Sequence, residues 1–328
     1  MRGQRAVVKA AGQVELEGFD PLPPQNGQVR LRALTTLISP GTERAFFLNL
    51  DNTDPTYPLY PGYSLVGLVE ACGADVTNLQ IGDRVVCPAT HASHAVVDAD
   101  RCLKAPDNLP DDEAAFFNLL AIAMQGTRKA RIELGESVLV LGAGLIGILA
   151  MRLAQLSGGL PVIGIDLDAQ RLALAKQIGA DEIIVSDARL ADNLYEILGS
   201  DGAHVVIEVT GAPHLVVTAF QLAAEKGRVI LLGSTRGDTE RVNFYRDVHR
   251  KGLQIIGGHE ITRPLQENSP GYWTQINEQQ VCLELLSRGR IQVAPLITHR
   301  YHWRDFPRAY AHLANWDKEA MGILIKWT

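Results

Sequence analysis

The sequence predicts an α/β protein in which a doubly wound parallel sheet is inserted between two parts of a β-rich unit. Three observations carry this. Between residues 121 and 257, short apolar runs alternate with stretches of helical length. One of those runs, Val138-Leu-Val-Leu141, opens in mid-chain into Gly142-Ala-Gly144-Leu-Ile-Gly147. Before residue 121 the chain instead shows short β-prone runs separated by Gly, Pro, Asn and Asp.

The first 120 residues, with Ala6-Val-Val-Lys9, Gln28 to Ala33, Leu65 to Glu70, Arg84 to Cys87 and Ala95-Val-Val97, read as a compact antiparallel unit. In the middle segment the expected strands are 138–141, 161–165, 182–186, 204–209, 228–232 and 253–256. The expected helices include Leu145 to Leu156, Ala169 to Ile178 and Pro213 to Glu225. Such alternation implies right-handed crossovers and a parallel sheet covered on both faces. Beyond 258 a polar loop precedes a helix near Glu278 to Arg288 and the run Ala294 to Thr298. A helix near Trp303 to Ala314 and a last strand, Gly322 to Trp327, follow. The simplest division is one domain from 1–120 with 258–328, and a second from 121–257.

The glycine turn has a specific chemistry. Gly142 permits a tight turn, Gly144 lets the backbone approach a pyrophosphate, and Gly147 lets the next helix pack on the strand. The helix start, at Leu145 and Ile146, directs free N–H groups and a positive dipole end at that pyrophosphate. A glycine turn alone also fits a cofactor-free α/β protein. Here the next strand ends in Asp166, near the separation of about 20 residues at which an acid meets the adenosine ribose. An acid accepts from ribose hydroxyls and repels a 2′-phosphate, which predicts NAD over NADP. Arg171 could favour a phosphate, but reads better as lying over adenine or as a solvated helix residue. The remaining cofactor contacts are expected beyond the carboxyl ends of the strands: Asp187, Thr210 and Gly211, Gly233 and Ser234, Ile256 and Gly257.

Composition narrows the class. At 328 residues the chain suits two domains, each able to bury a core. Hydrophobic content of 46% with 21% charged residues is that of a soluble globular protein, and the net charge of −6 argues against nucleic acid or an anionic membrane as partner. The longest apolar stretch, Val138 to Leu156, holds three glycines and Arg152, unlike a membrane span. No leader pattern is visible after Met1, and four cysteines form no framework, so reduced thiols and a cytoplasmic location are expected.

Gly62 and Gly67, Gly82-Asp-Arg-Val85, the mid-chain glycines and Ile297-Thr-His-Arg300 together resemble the medium-chain dehydrogenase/reductase superfamily, over essentially the whole chain. The resemblance implies a GroES-like catalytic domain, a Rossmann cofactor domain and an active site in the cleft between them. It also implies a homodimer or a tetramer of such dimers. The chain departs from the zinc-dependent branch at the metal. Where the first ligand is normally found, the stretch Ile38-Ser-Pro-Gly-Thr-Glu43 offers Pro40 or Ser39. The histidine position holds Tyr63, and the third falls near Phe116-Phe-Asn118. A catalytic zinc needs three protein ligands, so none is expected. The motifs around Ser39 to Glu43 and Tyr57 to Tyr63 look similar to a zinc-less subgroup that includes bacteriochlorophyllide hydroxyethyl dehydrogenases. Cys87, His91, His94 and Cys102 could compose a zinc set, but their spacing fits no metal pattern, and residues of a β-unit are the better reading.

Without a metal, a side chain must take the hydroxyl proton or stabilise the alkoxide. The resemblance places Thr42 where a Ser or Thr bonds the substrate hydroxyl, and Tyr63 in the space of the metal. Glu43 is a third candidate base, or the partner of a structural bond to Tyr63. Ser39, Asn118 and His259 are candidates for substrate contact, and His91 and His94 are weaker ones. The function expected is a zinc-independent, NAD-dependent dehydrogenase acting on a secondary alcohol such as a sugar, cyclitol or natural-product intermediate. Alternatives are a zinc-less NADPH-dependent enoyl or quinone reductase, which Asp166 disfavours, and a non-catalytic NAD(H)-binding protein.

Overall fold

The computed structural model describes residues 2–199, 202–265 and 273–328. The chain begins with an antiparallel hairpin, β1 (Gly3–Ala10) and β2 (Gln13–Phe19), and continues into β3 (Gln28–Ile38), α1 (Pro40–Leu48), β4 (Leu65–Cys72), β5 (Arg84–Cys87), β6 (His94–Asp98) and β7 (Leu103–Lys104). Two helices follow, α2 (Asp111–Ala114) and α3 (Phe117–Ala130). Next come β8 (Val138–Leu141), α4 (Leu145–Leu156), β9 (Val162–Asp166), α5 (Ala169–Ile178), β10 (Glu182–Val185), α6 (Leu190–Leu198), β11 (Ala203–Glu208), α7 (Pro213–Leu222), β12 (Ala223–Leu231) and β13 (Gln254–Gly257). The chain ends with α8 (Gln275–Ser287), β14 (Ile297–His302), α9 (Phe306–Ala314) and β15 (Gly322–Lys326).

These elements form two compact units, residues 1–119 with 279–328, and residues 120–278. In the first unit a seven-stranded sheet runs β14-β15-β3-β4-β5-β7, with β6 paired to β3. Its centre is β3, whose residues Val29, Leu31, Ala33 and Ile38 are buried in this unit's core. The C-terminal β15 lies antiparallel to β3, from Ile323 opposite Ile38 to Lys326 opposite Thr35. Both ends of the chain therefore build one core, closed by Phe306, Tyr310 and Trp327.

The second unit is a six-stranded parallel sheet in the order β10-β9-β8-β11-β12-β13. All four residues of β8 are buried, as a strand covered by helices on both faces requires. Helix α4 begins at Gly144, and α5 is capped by Asp168, whose carboxylate accepts from the N–H groups of Gln170 and Arg171. The strand order reverses between β8 and β11, which makes their carboxyl ends a switch point.

Two expectations differ from what is observed. The helix from Pro213 stops at Leu222 rather than Glu225, because Ala223 already pairs with Ala203 in the parallel ladder. The second domain boundary lies at 278/279, not at 258. Residues 258–263 stay with the parallel unit because α3 holds them: Gln125 Nε2 donates to the His259 carbonyl (3.0 Å) and Lys129 Nζ to the Thr262 hydroxyl (2.9 Å). Arg263 further pairs with buried Glu278 (3.4 Å). Among the described residues no helix is long and apolar enough to cross a membrane, and the four cysteines form no disulfide.

Candidate active site

In the parallel unit the glycine turn is a cradle made of backbone. Gly142 has φ of +108°, which favours glycine. A Cβ on Gly147 would lie 1.9 Å from the Gly142 carbonyl oxygen, so the helix can approach the strand only without a side chain there. Gly144 is the opposite case: a Cβ would meet no protein atom within 4 Å. The space before Gly144 and the α4 N-terminus is what a pyrophosphate requires, and these residues fit a dinucleotide. Leu145 is buried and Ile146 half-buried, so they offer N–H groups rather than side chains.

Asp166 sits at the end of β9 with both oxygens engaged. Oδ2 accepts from the Ala143 N–H (2.7 Å) and Oδ1 from the Asp168 N–H (2.9 Å). The carboxylate thus braces the glycine turn, and the further lone pairs of its two oxygens are the ones a ribose would use. Arg171 follows in the first turn of α5. Asp187 accepts from the Arg189 N–H (2.8 Å) beyond β10. Across the switch point, Thr210 Oγ1 donates to Glu208 and accepts from the Ala212 N–H (3.0 Å). Gly211 (φ +72°) leaves room for the Ser234 carbonyl, which a Cβ would approach to 2.6 Å. Gly233 packs as closely on Val209. Ile256 is half-buried, and Gly257 offers its carbonyl to Lys129 Nζ (2.9 Å). The sequence-predicted contacts after β8 to β13 therefore all lie at the carboxyl ends of one sheet.

The parallel unit also holds an acid that sequence reasoning missed. Glu208, at the end of β11, is fully buried, and Oε2 has no hydrogen-bond partner among the described residues. Burial pushes its carboxyl above the ordinary range, against the opposing effect of hydrogen bonds from Thr210.

In the first unit Glu43 lies on α1, whose start is set by Pro40 at the first turn. Its carboxylate is buried and collects donors from three segments. Oε1 accepts from the Ser39 N–H (2.7 Å), while Oε2 accepts from His91 Nε2 (3.0 Å) and from the Tyr310 hydroxyl. Trp327 Nε1–H, which can only donate, reaches Thr36 Oγ1 (3.0 Å), leaving the Thr36 proton for His91 Nδ1 (2.7 Å). That assigns the Nε2–H tautomer, with its proton directed at Glu43. Burial, reinforced by Glu43, holds the Tyr310 phenol well above its usual range, so it stays a donor.

Tyr63 adjoins this network, near enough to Tyr310 that the ionisation of one phenol would oppose that of the other, and it is half-buried. The turn before it is set by His91: the His91 N–H donates to the Pro61 carbonyl (2.8 Å), and a Cβ on Gly62 (φ +99°) would lie 2.7 Å from the imidazole. Asn118 donates to the Tyr63 carbonyl (2.8 Å) and accepts from Gln279 Nε2 (2.9 Å). It is buried, which places it behind Tyr63 rather than open to a substrate. Ser39 is the buried N-cap of α1, and Thr42 is half-buried one turn further on. His259, in the other unit, is exposed at the end of β13 and caps a short turn through Nδ1.

The resemblance assigns zinc donors to Pro40 or Ser39, Tyr63 and the neighbourhood of Phe117, and these residues do not fit the metal. Ser39 is buried as a helix cap and Phe117 is fully buried. Of the alternative set, Cys87 and Cys102 are buried against one another; their thiol contact and burial push Cys87 well above the ordinary thiol range. His91 faces Glu43 instead. Thr36, His91, Tyr310 and Trp327 were not legible as a network, though an acid on a largely apolar helix face already called for buried donors.

Comparison with known proteins accounts for both units. The model described as alcohol dehydrogenase GroES-like domain matches residues 27–126, and the one described as zinc-binding dehydrogenase matches residues 146–275. The D-guloside 3-dehydrogenase of Shigella flexneri is 28% identical over 255 residues, 76% of this chain and 72% of that protein. Among solved structures, galactitol-1-phosphate dehydrogenase from Escherichia coli superposes with a TM-score of 0.86 at 22% identity, covering 99% of this chain and 100% of that one. A short chain alcohol dehydrogenase from Escherichia coli CFT073, complexed with NADH, has a TM-score of 0.84 at 20% identity and covers 99% of both chains. With both domain models matched in order and curated relatives that are dehydrogenases, the chain belongs to the medium-chain dehydrogenase/reductase superfamily and is an NAD(P)-dependent oxidoreductase.

Proposed function

We propose that the protein is a zinc-independent, NAD-dependent dehydrogenase that interconverts a secondary alcohol and its ketone. The observation that carries this is Tyr63: a phenol stands where the zinc-dependent branch has an imidazole ligand, while the cofactor cradle of the other unit is complete. The relatives' activities on sugar derivatives and polyols favour a polyhydroxylated substrate. Asp166 favours NAD, because a 2′-phosphate would face a carboxylate.

Bound NAD supplies the hydride acceptor. The chain's own residues then handle the proton. In ketone reduction the Tyr63 phenol gives its proton to the carbonyl oxygen, in alcohol oxidation the Tyr63 phenolate takes the hydroxyl proton back, and Thr42 holds that oxygen by a hydrogen bond. Glu43 is a positioning residue, since its oxygens already accept from Ser39, His91 and Tyr310. Its buried charge holds Tyr310, and the Gly62–Tyr63 turn leans on His91.

The test follows reduced nicotinamide absorbance with polyols, sugars, cyclitols and enones, under NAD and NADP, with and without a chelator. NAD-linked alcohol oxidation indifferent to chelation is expected. Activity lost to the chelator would overturn the zinc-free reading. A preference for NADPH and enones would replace it with an enoyl reductase.

A further inference from the structure

The residues after β12 and β13 hold donors that the proposed reaction leaves unused. Arg236 is half-buried, and its backbone N–H is fixed to the Gly211 carbonyl (2.9 Å). Among the described residues its guanidinium has no hydrogen-bond or ion-pair partner, and burial alone lowers its pKa. On the neighbouring strand, His259 Nδ1 accepts from the Ile261 N–H (3.2 Å), so the neutral ring carries its proton on Nε2, as a free donor. Ser234 adds an exposed hydroxyl. The strands β12 and β13 pair in parallel up to Leu231 and Gly257, so these three residues leave adjacent strand ends.

Strand order says which half of the cofactor they would face. The adenosine acid follows β9 on one side of the glycine turn, and β12 and β13 lie on the other, nicotinamide, side. An oxidised nicotinamide is itself cationic. A partly desolvated guanidinium beside it is unfavourable unless an anion arrives with the substrate. We propose that Arg236, with His259 and Ser234, receives the carboxylate or phosphate group of an acidic secondary-alcohol substrate. This rests on the dinucleotide reading given above and narrows its substrate class. The same anion chemistry could come from the cofactor's own phosphates, and the test separates the two sources.

Calorimetric titration of NADH, and of inorganic phosphate into the NADH-saturated protein, is compared for the wild type, Arg236→Met and Arg236→Lys. Wild type should bind phosphate, Arg236→Met at least about tenfold more weakly, and Arg236→Lys in between, with NADH affinity unchanged within about twofold. Unfolding midpoints matched to the wild type confirm that both variants fold. The idea is overturned if the NADH-bound wild type ignores phosphate, or if Arg236→Met binds it equally. A parallel loss of NADH affinity in Arg236→Met assigns the guanidinium to the cofactor and overturns the substrate assignment. A wild type that binds no NADH breaks the dinucleotide reading and this inference with it, whereas phosphate failing while NADH binds breaks the inference alone.

Discussion

The cofactor cradle and the Glu43 network solve opposite problems with opposite materials. In the cradle the decisive feature is what side chains leave out: Gly147 and Gly144 carry none, and the ligand-facing groups are backbone N–H at the start of α4. In the network the work falls mainly to side chains, with Thr36, Glu43, His91, Tyr310 and Trp327 linked in sequence and the Ser39 N–H as a backbone donor to Glu43. The contrast teaches that a ligand cradle can be open yet rigid. The buried Glu43 carboxylate is instead held in place by donors on both of its oxygens.

The sharpest way to break the comparison is Gly147→Val. Its first carbon already overlaps the Gly142 carbonyl, so the loss should be at least about 4 kcal/mol and leave little folded protein, read by urea unfolding. Glu43→Ala comes next. It strands donors from Ser39, His91 and Tyr310 in the core, for an expected loss of about 3 kcal/mol or more with cradle and NADH affinity intact. If the unfolding midpoint barely moves, the network is not the scaffold described.

Tyr63→Phe should fold normally, bind NADH unchanged and lose about a hundredfold in kcat; equal turnover would remove the phenol from proton exchange. Gly144→Ala sharpens the cradle half of the contrast. Because its Cβ meets only open space, stability should hold while NADH affinity drops at least about tenfold in a fluorescence titration. The smallest effect concerns Glu208. Its carboxyl is raised in the folded protein, so the proton is favoured there. The associated stability is present at low pH and fades as pH climbs through the folded-state pKa. Glu208→Gln should flatten that dependence, a change on the order of 1 kcal/mol seen in urea midpoints across the carboxylate range.

The same contrast explains what could be read in advance. The cradle is local: Val138 to Gly147 and Asp166 fall within one βαβ passage, and their spacing reports geometry directly. Helices α4 and α5 begin and end where capping and periodicity place them. The network draws on residues 36, 43, 91, 310 and 327, which meet only after β15 has joined β3. No spacing along the chain encodes that meeting. Asn118 shows the same limit: its position near the expected third ligand suggested a substrate contact, whereas its amide is spent on Tyr63 and Gln279. The boundary at 278 was hidden for a related reason, since it depends on Gln125 and Lys129 reaching forward more than a hundred residues.

The place of β15 also bears on biosynthesis. Made after every other strand of the first unit, it lies between β14 and β3 in that unit's sheet, and Trp327 beyond it completes the chain of donors to His91. Until residues 279–328 are made, residues 1–119 therefore wait with an incomplete core and an acid short of partners, whereas the α/β segment 120–278, once made, has every strand it needs. Nascent chains should accordingly acquire their nucleotide-binding half first. Loss of residues 322–328 should expose residues 1–119 to proteolysis while sparing residues 120–278.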